Sequence, residues 1–207
     1  MRTALNQALA LTLLAAWSTP IFAAPKMVPE EGAVQIILLR QADVHKDLKL
    51  TPEEIKKIDD FADKQWTKAQ EIGREGEPER DREFAEMTKE NERFIDGVLT
   101  KPQRQRLDEI TLQVAGLLWV TRPEVASKLD LTAEQKQKAA QLQKTARQET
   151  EELLHATKEE QKEEKLGELR RTSRERLMTL LTDAQETKWR QMTGQPFRGE
   201  IRFTSTK

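Results

Sequence analysis

Leu50-Thr51-Pro52-Glu53-Glu54 returns 81 residues later as Leu131-Thr132-Ala133-Glu134-Gln135. Two further copies, Leu99-Thr100-Lys101-Pro102-Gln103 and Leu181-Thr182-Asp183-Ala184-Gln185, lie 82 residues apart. A near-constant offset over two pairs of motifs points to an internal duplication. The match extends upstream, because Val44, Leu48 and Leu50 recur as Val125, Leu129 and Leu131 at the same offset of 81. The motif has a local physical meaning. In Thr-x-x-Glu/Gln the hydroxyl accepts from the backbone N–H three residues on, and the Glu or Gln reaches back to the threonine N–H. Each copy is therefore a helix start. Pro52 occupies the first helical position, where a missing N–H costs nothing. Loss of one capping threonine to alanine is expected to cost about 1 kcal/mol.

The residues after Thr51 carry one amphipathic stripe: Ile55, Ile58, Ala62, Trp66 or Gln65, Ala69 and Ile72. Gly73, Gly76 and Pro78 interrupt it, and a return helix follows with Phe84, Met87, Phe94 or Ile95, and Val98. The second half repeats the plan. Thr132 opens a helix with Ala139, Leu142, Ala146, Leu153 and Leu154. The polar stretch 158–165 is either a tip or part of one long helix, and Leu166, Leu169, Leu177 and Leu180 line the return. Leu107, Ile110, Val114, Leu117 and Leu118 mark a helical connector, closed at Pro123. Upstream, Val34 to Leu48 reads as one helical run. The expected fold is all-α: two tandem helical hairpins joined by a helical connector, elongated. The first repeat with its connector covers 25–120, the second 121–193, and an irregular or extended tail 194–207.

Residues 1–24 have the order of a secretory signal peptide: Arg2, an apolar run from Ala8 to Trp17, then Ala23-Ala24. That run is shorter than the ~20 residues a spanning helix needs. The expectation is an exported, periplasmic chain without stable membrane insertion. There is no cysteine, which removes disulfides, thiolate nucleophiles and Cys-bound zinc. The net charge is only −1, with 34% charged and 36% hydrophobic residues. Such composition suits helices with narrow apolar stripes and gives no net field that draws nucleic acid.

The four motifs resemble those of the Spy/CpxP, or LTXXQ-motif, family of periplasmic helical proteins. The resemblance implies that Leu50, Thr51, Glu54, Leu99, Thr100, Gln103, Leu131, Thr132, Gln135, Leu181, Thr182 and Gln185 mark helix corners. It also implies a non-enzymatic protein that binds other polypeptides: an ATP-independent chaperone for unfolded or partly folded exported proteins, or a stress modulator acting on a sensor. That family usually carries two motifs per chain, whereas this chain has four, and Glu54 stands where Gln is usual.

Other chemistry is thinly represented. His45 and His155 are far apart, and Glu151 with His155 at i,i+4 is an incomplete zinc shell. No metal or cofactor is expected, and a metal-responsive sensor is the third reading. No nucleophile elbow or phosphate loop is present. Glu53–Lys57, Asp60–Lys64, Glu134–Lys138 and Glu186–Arg190 have the spacing of exposed helix ion pairs. Basic clusters at Lys101, Arg104 and Arg106, at Lys136, Lys138, Lys144 and Arg147, and at Arg170, Arg171, Arg174 and Arg176 read as solvated faces. Trp66, Trp119 and Trp189 are expected in the core. The competing class is a scaffold, a homo-oligomer whose apolar stripes are satisfied by self-association.

Overall fold

The computed structural model describes residues 31–72, 76, 78–156 and 159–202. The expected leader, 1–24, lies outside them. The described residues form nine α-helices and no strand. They are α1 (Glu31–Leu39), α2 (Ala42–Leu48), α3 (Pro52–Ile72), α4 (Glu79–Val98), α5 (Lys101–Trp119), α6 (Pro123–Lys128), α7 (Ala133–Ala156), α8 (Glu159–Leu180) and α9 (Asp183–Thr193). None is long and apolar enough to cross a membrane.

Helices α3 and α4 pack antiparallel. Phe61 stacks on Phe94 with ring centroids 3.8 Å apart, and nearer the far end Lys68 and Gln65 both donate to Glu90. Helices α7 and α8 pair likewise, with Arg176 bidentate to Glu149 at 2.6 and 2.8 Å. Helix α1 packs against α3, α4 and α5, and α5 packs against α7, α8 and α9.

Two apolar clusters result, and α5 belongs to both. Leu107 and Ile110 join Val34, Leu38, Leu39, Val44, Leu48, Ile58 and Ile95 in the first. Leu112, Leu117 and Trp119 join Val125, Leu129, Ala139, Leu177 and Trp189 in the second. Between them Ala115 leaves helical geometry (φ −117°, ψ 22°), which re-aims the last turn of the connector. Beside this kink, Gly116 admits the Trp189 ring: a Cβ there would lie 2.6 Å from Cζ2 of the indole.

Three expectations need correction. The run from Val34 to Leu48 is two helices, not one. Leu38 and Leu39 are both fully buried, and the chain turns at Arg40 and Gln41 through tightened N–H bonds to Ile37 and Leu38. The turn brings Val44 and Leu48 back to the same cluster, and His45 Nε2 sits 2.5 Å from the Leu39 carbonyl oxygen. Trp66 is not core; it is 51% exposed. The stripe of α3 runs Ile58, Ala62, Gln65, Ala69, Ile72, and Trp66 lies one residue, about 100°, round the helix from it. Asp60 pairs with Lys56 at 2.7 Å instead of Lys64.

Candidate functional site

Each threonine of the four motifs stands immediately before a helix: Thr51 before α3, Thr100 before α5, Thr132 before α7 and Thr182 before α9. The backbone N–H of Thr51 donates to Glu54 at 2.8 Å, and Glu54 N–H donates to the Thr51 hydroxyl at 3.2 Å. Thr100 N–H donates to Gln103 at 2.8 Å. Thr132 and Gln135 exchange both bonds at 3.0 and 3.1 Å, and Thr182 and Gln185 do so at 3.0 and 3.4 Å. The threonines stay exposed. Leu99, Leu131 and Leu181 are buried, and Leu50 is half-buried against the first cluster.

The backbone that delivers the chain to two of these corners was not visible in the motif. Lys49 and Asp130 both adopt the left-handed conformation, with φ 54° and 52°. Leu50 N–H donates to the His45 carbonyl, and Leu131 N–H to that of Ala126; Lys49 N–H reaches Lys46, and Asp130 N–H reaches Ser127. This is the Schellman ending of a helix, made twice, at residues 81 apart. The signal in the sequence was faint, because neither left-handed residue is glycine.

The corners differ in what their motif side chains do next. Gln135 and Gln185 form a reciprocal amide pair, at 2.7 and 3.0 Å. Gln135 also donates to the Leu180 carbonyl, and Gln185 to that of Asp130. Each glutamine thus caps its own helix through Oε1 and ties the two corners together through Nε2. Glu54 is a carboxylate with no N–H to return, and among the described residues no such bond joins it to Gln103.

A groove opens at the first corner instead. It has a volume of about 460 Å³ and is lined by Thr51, Glu53, Glu54, Lys57, Arg93, Phe94, Gly97 and Val98. Phe94 and Val98 give it an apolar floor; charges of both signs form its rim. A shallower groove of about 300 Å³ lies between α7 and α8, lined by Glu149, Leu153, Lys165, Glu168, Leu169, Thr172 and Arg176. Its walls are held by the Arg176–Glu149 pair, whose bonds keep the Glu149 carboxyl below the usual carboxylate range. Between α3 and α4, bonds from Lys68 and Gln65 do the same to Glu90.

The tail is bound to the body of the protein through backbone groups. Gln41 both donates to the carbonyl and accepts from the N–H of Arg202, at 3.0 and 3.1 Å. Gln113 donates to the Thr193 and Gln195 carbonyls and accepts from Phe197 N–H. Asp43 accepts from Glu200 N–H at 2.9 Å. Arg106 donates to the Gln195 carbonyl while bridging Asp47 and Glu109; those bonds hold its pKa above the ordinary arginine value.

His45 is engaged by the Leu39 carbonyl, and the His155 side chain lies outside the description. Among the described residues no group of three or more His, Asp or Glu is placed to hold a metal. In the basic clusters, Arg104 pairs with Asp96 and Asp108, Lys138 with Glu134, and Arg171 with Glu175. Glu186 pairs with Arg190 at 3.1 Å. Trp119 and Trp189 are buried, and the Arg122 guanidinium lies 4.2 Å from the Trp119 ring centroid. Comparison with protein-family models, curated proteins and solved structures returned no match to this chain.

Proposed function

We propose that this chain is a non-enzymatic exported protein that binds other polypeptides, in the manner of the Spy/CpxP-type ATP-independent chaperones and envelope-stress modulators its motifs resemble. The observation that carries the reading is the groove at the first corner. Phe94 and Val98 form its floor, and Glu53, Glu54, Lys57 and Arg93 form a rim of both signs. An apolar floor takes large side chains of an unfolded segment, and a mixed rim tolerates either charge beside them. Weak, reversible contact follows from a groove this open, and no nucleotide is needed to release the client.

We also propose that the chain is a duplicated, elongated pair of hairpin units. The repeated Schellman–capping corner supports this. So does the packing: α1 lies on the α3–α4 pair much as the end of α5 lies on α7 and α8.

A scaffold reading has its own support. Trp66 is the only large hydrophobic side chain that stands exposed among the described residues, so most apolar stripes are already satisfied within the chain. One assay beside one measurement separates the two. Suppression of aggregation of an unfolded substrate at near-stoichiometric amounts, without ATP, supports the binder. A tight oligomer in sedimentation that leaves aggregation unchanged supports the scaffold.

A further inference from the structure

Residues 196–202 alternate. Phe197, Gly199 and Ile201 are partly buried, while Pro196, Arg198, Glu200 and Arg202 are exposed. Phe197 and Ile201 pack on the first apolar cluster. Gly199 has no room for a side chain, because a Cβ there would lie 2.4 Å or more from the Phe197 ring but still well inside contact, and 2.5 Å from Asp43 Cβ. The period is that of a strand, yet no strand lies beside it. Its place is taken by side chains on α2, α5 and the turn between α1 and α2. Gln41 bonds both polar groups of one residue, as a neighbouring strand would, and Gln113, Asp43 and Arg106 bond three more backbone groups of the tail.

We infer that this trough, between α2 and the first part of α5, is a docking groove for an extended segment of another polypeptide, and that the chain's own tail is its resident occupant. The inference rests on the reading of the chain as a polypeptide binder and adds a second place, apart from the first-corner groove, together with a pattern. The groove recognises main-chain N–H and C=O groups, which every extended segment offers. Selectivity comes from two sockets and a pinch: a large apolar residue, a small one two positions on, and an aliphatic one two beyond that. Strand-like recognition of this kind draws affinity from the backbone and preference from alternate side chains. The tail is tethered through Gly194, whose φ of +61° is open to glycine at no cost. Tethering makes the tail a strong competitor, because its effective concentration is of millimolar order. Clients must displace it, so binding is weak and reversible by construction.

The test uses the full chain. A fluorescent peptide with the sequence of residues 194–202 is titrated against the native protein and against a variant carrying Phe197→Ser and Ile201→Ser. The peptide is expected to bind the variant about tenfold or more tighter than the native chain. Adding Gln113→Ala to the variant is expected to abolish the gain. A variant with native ellipticity that fails to bind the peptide overturns the inference. If the variant does not fold, amide exchange in the native chain decides. Excess peptide is expected to speed exchange at Phe197, Glu200 and Arg202 and to leave Leu107 and Ile110 unchanged; no change at the three tail amides overturns the inference. A concentration-dependent dimer in which those three amides stay protected also overturns it, because the groove then belongs to the tail of a second copy. The aggregation assay reads the broader function separately: suppression with no peptide binding removes this groove alone.

Discussion

Lys49 and Asp130 hold the same left-handed backbone, at φ 54° and 52°, and one can be improved without touching anything else. The conformation costs a residue with a Cβ roughly 1–2 kcal/mol, and glycine avoids it. Lys49 is exposed, so Lys49→Gly is expected to stabilise the chain by about 1 kcal/mol in urea unfolding. Asp130→Gly is not equivalent, because the Asp130 carboxylate is bonded by Lys188 and glycine forfeits that contact. At Asp108 the question is protonation. Burial pushes its carboxyl above the ordinary value of 3.8, against the opposing pull of Arg104 and the bond from Gln35. The native state therefore holds the Asp108 proton more tightly than the unfolded chain does. Its contribution to stability is greatest at low pH and falls as pH rises from about 3.8 through the raised native value. Asp108→Asn keeps an acceptor for Gln35 and removes the charge. The variant is expected to match or exceed native stability at pH 7, with the difference shrinking toward pH 4. Urea midpoints of both proteins at the two pH values check the sign, and a difference that grows toward acid refutes it.

At the scale of elements, the connector α5 carries a tight steric constraint. A methyl group at Gly116 would meet two ring carbons of Trp189 at 2.6 and 3.0 Å and Leu177 Cδ2 at 3.2 Å. The ring is buried and flanked by packed side chains, so it has little room to yield. Gly116→Ala is expected to cost about 1–3 kcal/mol, and Trp189→Phe in the same chain is expected to recover part of that loss. Thermal melts of the single and double variants check this. The starts of α3, α5, α7 and α9 were legible because a capping box is complete within four residues. The all-helical class was legible because stripes at steps of three and four run through both halves. What escaped is decided by distant partners. Trp66 and Gln65 compete for one stripe position, and the choice falls to Gln65, whose amide reaches Glu90 on the next helix. The break after Leu39 and the kink at Ala115 each depend on which cluster the following turn must reach. The path of the tail depends on Gln41 and Gln113, far from it in sequence and unremarkable as residues. The grooves were not legible at all, since each needs two helices to be placed side by side.

For the molecule as a whole, the shared connector settles how the two apolar clusters respond to stress. If the halves were independent, the second, which holds buried Trp119 and Trp189, would lose its fluorescence signature at its own midpoint. The packing argues otherwise. Leu107 and Ile110 sit in one cluster and Leu117 and Trp119 in the other, on a single helix. The tail returns from the end of α9 to bond Gln41 and Asp43 at the opposite end of the chain. Melting either cluster strips α5 of the packing on that side, and most of a helix's stability in a protein comes from the packing of its apolar face. The tryptophan transition and the far-UV ellipticity transition are therefore expected to coincide in urea, as one cooperative step. The exposed Trp66 contributes little to the change and does not blur the comparison. Two resolved steps, with fluorescence changing apart from ellipticity, would mean that the irregular turn at Ala115 separates the halves instead of joining them. In that event Leu107→Ala would move only the ellipticity step and Leu177→Ala would move the fluorescence step, whereas in a coupled molecule each substitution shifts both signals together.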